Sequence, residues 1–279
     1  MTEAEILKEF DKYIGDEMKE VKERVIGAVD YFLHEREIIE RKRKCGEKVN
    51  EDDLPFMNIV LTGNPGTGKT SIAKLIAKYF KAKGILPTDR FVCKFASEMI
   101  QGVAGGTEVK IREAAEEARG GILFIDEFQG FIDVGNSSGN IAKNVMREIV
   151  CIVNNHRSDL CIILAGYKEG VEKVLRLDAG AGRRFPIKVD FRNYSVETLL
   201  KIFHSLVRQK GETVEDGVDA LLSSVIESRI TEEREAFGNI GYIKDILLPA
   251  LERSKGKRDI NSTTYTVEDV KDAFPNVAI

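Results

Sequence analysis

Apolar positions in the first 44 residues recur three and four apart. Ile6, Leu7, Phe10, Tyr13 and Ile14 form one such stripe, and Val21, Val25, Ile26, Val29, Phe32 and Leu33 form another. This spacing places each set on one side of a helix. The glycine in IGDE interrupts the pattern, so residues 3–44 read as two helices joined by a tight turn at Gly15. From Asn58 the pattern changes. Short apolar runs, NIVLT, FVCKF (91–95), ILFID (122–126), CIILAG (161–166) and IKVDF (187–191), read as strands. Amphipathic segments separate them: Thr70–Lys81, with Ile72, Leu75, Ile76, Tyr79 and Phe80 inward, then Glu108–Arg119 and Asn140–Asn154. Continuous apolar strands alternating with helices predict an α/β fold, a parallel sheet covered by helices on both faces. After Asn193 the pattern is helical, over Ser195–Gln209, Glu215–Ser228, Gly238–Ser254 and Val267–Phe274, with Ser195 and Thr266 as N-caps. No convincing strand, internal repeat or low-complexity linker is expected there.

Composition narrows the class. Of 279 residues, 43% are hydrophobic and 32% charged, as in a globular protein that folds around a core. A net charge of -4 argues against a nucleic-acid-binding domain, although RKRK (41–44) could form a local basic patch or simply a solvated helix end. No apolar run has the length of a membrane span, and the charged, amphipathic start is unlike a signal peptide. The four cysteines (Cys45, Cys93, Cys151, Cys161) lack metal-ligand spacing and read as idle or buried thiols of a reducing compartment such as the cytoplasm.

The first candidate chemistry follows the first apolar strand. GNPGTGKTS, Gly63–Ser71, fits G-x-x-x-x-G-K-[ST]. Glycines let such a loop (Asn64, Pro65, Gly66, Thr67, Gly68) curl so that its N–H groups face a polyphosphate, and the next helix adds its positive end. Lys69 supplies a charge between β- and γ-phosphates, and the Thr70 hydroxyl can ligate Mg²⁺. A chance glycine-rich turn would lack the strand before it and the helix after it.

The second lies in GGILFIDEFQ, where an apolar strand ends in two carboxylates. Asp126 is placed to hold Mg²⁺ through water, and Glu127 to orient and polarise an attacking water. Alone, this could be an ordinary solvated strand end. Downstream of a phosphate loop, it makes ATP hydrolysis chemically feasible.

With these motifs the chain resembles the AAA+ ATPases, most closely the CfxQ-type group that contains CbbX and SpoVK. The stretches that carry the resemblance are IGDEMKEVKERV, LTGNPGTGKTSIAK, GGILFIDE, LCIILAGY and VDFRNYSVETLLKIF. The resemblance implies a P-loop NTPase sheet sandwiched by helices over residues 1–192, followed by a small all-helical lid over 193–279. It implies ATP or ADP with Mg²⁺ as cofactors. It places Ile14 and Gly15 beside the adenine, Ser71 at the phosphate loop, and Tyr167 where a polar residue senses the γ-phosphate. Arg184, with Arg183 as second choice, resembles an arginine finger that reaches a neighbouring subunit's nucleotide; without the resemblance the pair would read as solvated. A ring is therefore implied, a homo-hexamer or a hetero-oligomer with AAA+ relatives, acting on a client protein rather than on nucleic acid or a membrane.

Two departures stand out. SEMIQGVAGGTEVK should hold a pore loop with a gripping aromatic, but the position is Val103. FGNIGYIKDILLPAL has Asn239-Ile240-Gly241 where the group carries N-A-R, and Lys244, one turn on, is an unequal substitute for arginine. DVGNSSGN (133–140) is either a second pore loop or a turn. Two functions follow: an ATP-driven protein remodeller, of which Rubisco remodelling is one special case, or a regulatory or scaffolding subunit that binds nucleotide with little turnover of its own. A DNA-linked clamp loader or helicase fits less well, for want of an aromatic and basic stripe.

Overall fold

The computed structural model describes residues 2–13, 15–50, 53–132 and 138–276. They fall into two compact units, one of Met1–Tyr13, Met18–Gly63 and Gly68–Phe191, the other of Ile14–Glu17, Asn64–Thr67 and Arg192–Ile279.

The first unit is built on five parallel strands: β1 (Ile59–Gly63), β2 (Phe91–Phe95), β3 (Ile122–Asp126), β4 (Cys161–Gly166) and β5 (Ile187–Phe191). Their order is β2-β3-β4-β1-β5. Alternate residues explain why these runs are apolar throughout. Val60, Leu123, Ile125, Ile162 and Leu164 enter one core with residues of α5 (Gly106–Ala118), α6 (Ser138–Asn155) and α7 (Lys168–Leu175). Ile59, Leu61, Phe124 and Ile163, pointing the other way, are equally buried. There α3 (Lys69–Ala82) packs on β1 and β3 with Ile72, Ile76 and Phe80 buried, and α1 (Glu3–Asp11) packs on α3. Helix α2 (Asp16–Lys44) follows α1 after the turn at Gly15, where φ is +105°. Helix α7 escaped the sequence reading, and so did three shorter segments: α4 (Ala96–Met99), the 3₁₀ turn Phe128–Phe131 and α8 (Ala181–Arg184). At four residues each, these three are too short to display a helical period.

The second unit holds α9 (Val196–Gln209), α10 (Val218–Glu233), α11 (Leu248–Arg258) and α12 (Val267–Ala273). Ser195 and Thr266 cap α9 and α12 as expected, accepting from Thr198 N and Asp269 N. The unit is not purely helical. Thr213–Val214 (β6) pairs in parallel with Thr264–Tyr265 (β7). Strands of two residues leave no alternation to read. Nor is Gly238–Ser254 one helix. Asn239 is left-handed (φ +49°), and Tyr242–Leu247 is a π-helix before α11 begins. Pro249 explains the wide turns, because it has no N–H for the carbonyl of Asp245 and its ring crowds that carbonyl.

Polar groups buried in this unit are paired. Lys255 bridges Glu212, which also accepts from the Tyr265 hydroxyl at 2.7 Å. Asp269 meets Arg258 at 3.0 Å. Among the described residues no helix is long and apolar enough to cross a membrane.

Candidate functional site

The strand order sets β1 between β4 and β5 and lays β3 against β4, with Thr62 opposite Gly166 and Ile125 opposite Leu164. Whatever follows the C-terminal ends of β1, β3 and β4 is thereby gathered at one edge of a parallel sheet, the usual location of ligand sites in such sheets. Three of the sequence features in this unit do so: Gly68–Ser71 at the start of α3, the Asp126-Glu127 pair and Tyr167.

In the first unit Gly68, left-handed at φ +96°, opens α3, and Lys69, Thr70 and Ser71 form its first turn. The Lys69 amine donates to the Gly63 carbonyl at 2.7 Å. Burial lowers its proton affinity, and the nearby Asp126 carboxylate works in the opposite direction. A bound phosphate would act in the same sense as Asp126. The Thr70 hydroxyl lies 3.4 Å from Asp126 Oδ2, while Asp126 Oδ1 accepts from Glu127 N at 2.9 Å. One carboxylate oxygen thus fixes the next peptide while the other faces the hydroxyl. Glu127 is exposed and left-handed, at φ +51°. A glutamate in this region is strained, and such strain collects at sites where side-chain direction matters. Ser71 is exposed.

Tyr167 is 40% exposed just beyond β4. Its N–H donates to Gln129 Oε1 at 3.2 Å. Gln129 was not singled out in the sequence, yet it ties the turn after Glu127 to the segment carrying Tyr167. It fits because Gly166 and Gly170 have no side chains, and a Cβ at either would overlap it. Gly170→Ala should therefore displace Gln129, costing about 1–3 kcal/mol of stability and slowing turnover. Thermal melts alongside ATPase assays check this; an unchanged melt would show that Gln129 is not wedged.

The remaining loop residues belong to the second unit. Gly66 is left-handed (φ +67°), and a Cβ there would overlap the Gly238 carbonyl oxygen. The Thr67 hydroxyl donates to the Asn64 carbonyl at 2.8 Å, and Asn64 Nδ2 to Asn193 Oδ1 at 2.9 Å. The Pro65, Gly66 and Thr67 carbonyls accept in turn from Asn239 Nδ2 (3.2 Å), Ile240 N (3.3 Å) and the Tyr194 hydroxyl (3.1 Å). Asn193 and Tyr194 also went unmarked in the sequence. Of the two adenine candidates, Ile14 lies outside the described residues. Gly15 sits against the Thr198 side chain, where Glu17 accepts from Ser195 N (2.8 Å) and the Thr198 hydroxyl (3.1 Å). Burial pushes the Glu17 carboxyl up, but these hydrogen bonds outweigh it and hold the group below the usual carboxylate range.

The two arginines differ. Arg184 is turned into its own unit: Nε donates to Asn154 Oδ1 and a terminal nitrogen to the Gly180 carbonyl, both at 3.0 Å. Its guanidinium also lies 5.9 Å from the Phe56 ring centre. Arg183 is exposed. Val103 is 70% exposed, and Lys244 is exposed on the π-helix. The 133–137 part of the possible second pore loop lies outside the described residues.

Residues 59–193 match the family model described as ATPase family associated with various cellular activities (AAA). Over 95% of its length the chain is 26% identical to stage V sporulation protein K of Bacillus subtilis (strain 168), covering 79% of that protein. It is 27% identical over 88% of its length to a CfxQ homolog of Pyropia yezoensis, covering 82% of it. It is 26% identical over 69% of its length to the chromosomal CbxX protein of Cupriavidus necator, covering 60% of it. The fold is that of the Thermotoga maritima RuvB Holliday junction branch migration motor (TM-score 0.55, 18% identity, 95% of this chain and 70% of that one). AAA proteins bind ATP and are in general ATPases, and they commonly assemble into oligomers. The glycine-rich loop after β1, the paired carboxylates after β3 and the family match together identify residues 59–193 as an AAA ATPase domain, with the CbbX- and SpoVK-type proteins among the chain's relatives.

Proposed function

We propose that the chain hydrolyses ATP with Mg²⁺ as one subunit of a ring that remodels a client protein. The observation that carries this is the meeting of Lys69, Thr70 and Asp126, with Glu127 exposed on the adjoining left-handed turn. In this reading residues 1–192 bind the nucleotide and 193–279 act as the lid. A hydroxyl and a single carboxylate are hard oxygen donors, few enough to leave water on the metal, and so fit Mg²⁺. Bound there by Thr70 and Asp126, the ion would neutralise charge on the β- and γ-phosphates. The chain supplies the rest. Loop N–H groups and Lys69 hold the phosphates, Glu127 accepts the proton of the attacking water, and Tyr167 faces the terminal phosphate. The four thiols, free in the structure, suit a reducing compartment such as the cytoplasm.

A finger in trans must be exposed, which favours Arg183 over Arg184. The ring could be a homo-hexamer or could include AAA+ relatives. Val103 and Gly241 favour a second reading, a regulatory or scaffolding subunit with weak turnover alone. ATP turnover per chain, measured against protein concentration, separates the two. The remodeller's rate should climb as chains assemble and fall by roughly 1,000-fold in Arg183→Ala with nucleotide affinity kept. Arg184→Ala should instead lower the melting temperature. Tight binding with negligible turnover at every concentration would establish the second reading.

A further inference from the structure

A phosphate loop must turn its N–H groups toward the anion, so its carbonyls face away and need donors of their own. Three successive carbonyls, of Pro65, Gly66 and Thr67, find theirs in Asn239 Nδ2, Ile240 N and the Tyr194 hydroxyl. Asn239 is the centre of this arrangement. It is fully buried; the two hydrogens of its amide are shared among the Pro65 carbonyl, Asn193 Oδ1 (2.9 Å) and the Phe237 carbonyl (3.0 Å), while its Oδ1 accepts from Tyr194 N (2.9 Å). Its left-handed backbone, which asparagine tolerates better than most residues, aims the amide at the loop. Two residues on, Gly241 offers no side chain that could reach a phosphate.

We propose that Asn239, with Tyr194, is a positioning residue for the nucleotide: it sets the peptide planes of Pro65–Thr67 from the carbonyl side and thereby presets the anion cradle. The proposal rests on the phosphate-loop reading above. Its consequence is specific. A cradle defined by backbone geometry serves the phosphates that ATP and ADP have in common, so the 237–242 segment responds to the presence of nucleotide but does not distinguish the two. A charged sensor at Gly241 would.

The test measures ATP and ADP dissociation constants, with and without Mg²⁺, for Asn239→Gly, Tyr194→Phe and Lys69→Ala in the full chain. Glycine keeps the left-handed backbone and removes only the amide. Asn239→Gly should weaken both nucleotides by the same factor, roughly 3- to 10-fold for the loss of its one side-chain hydrogen bond to the loop. Tyr194→Phe, which loses one hydroxyl, should do the same by roughly 3- to 10-fold. An equal loss for the two nucleotides in folded protein supports the proposal. Weakening of ATP alone would overturn it, as would wild-type affinity in both variants with a lowered melting temperature, which is the mark of a purely structural asparagine. If Asn239→Gly does not fold, Tyr194→Phe decides alone. Wild-type binding by Lys69→Ala would sink the phosphate-loop reading itself; loss of binding there with none at Asn239 or Tyr194 would sink only the positioning role.

Discussion

Lys69→Ala should leave a folded protein that no longer binds ATP or ADP measurably. The amine sits partly buried at the start of α3, held by the Gly63 carbonyl, with its proton affinity lowered by burial. With a polyphosphate present, the cost of burial becomes an advantage, because a partly desolvated cation interacts more strongly with an anion. Two charge-assisted hydrogen bonds, at about 1.5–3 kcal/mol each, amount to roughly a 100- to 10,000-fold loss of affinity. Alanine favours helix, which offsets the lost bond to the Gly63 carbonyl, so the melting temperature without nucleotide should change little. Titration with a fluorescent nucleotide, beside a melt, checks both halves. Normal affinity in the variant would remove the phosphate-loop assignment.

Glu127→Gln should separate binding from chemistry. Glutamine has the same shape, and the exposed side chain can change without disturbing the core. The structural bond at this residue is made by its backbone, whose carbonyl accepts from Gly130 N at 2.7 Å. ATP affinity and melting temperature should therefore be unchanged, while turnover falls by roughly 100- to 10,000-fold, the range for loss of a positioned base. An unaltered rate would mean that another group takes the proton, and Glu127 would keep its left-handed conformation for some other reason.

The parallel sheet was legible because burial on both faces leaves a plain mark, namely five apolar runs without alternation, and all five strands coincide with those runs. The glycine-rich loop and the carboxylate pair could be picked out because each is local, its spacing written within ten residues. What escaped was of two kinds. Short elements such as β6, β7 and α4 contain too few residues to show a period. The loop's partners, Asn193 for the Asn64 amide and Tyr194 and Asn239 for the carbonyls, lie more than a hundred residues downstream, and their hydrogen bonds are set by tertiary structure. The one local hint was an asparagine between glycines in FGNIGY, a residue suited to a left-handed position. The choice between Arg183 and Arg184 was likewise invisible, since neighbouring arginines differ only in what folding places beside them.

The helical unit is not a contiguous stretch of chain. Residues 64–67, a piece of the phosphate loop, cluster with 192–279 and away from the residues on either side of them. A graft that replaced only 192–279 with the matching part of a relative would bring new donors to old carbonyls. Evolution faces the same constraint. In this chain the helical unit is not a cartridge that recombination can exchange at a single junction: a new 192–279 must bring its own donors for the Pro65, Gly66 and Thr67 carbonyls.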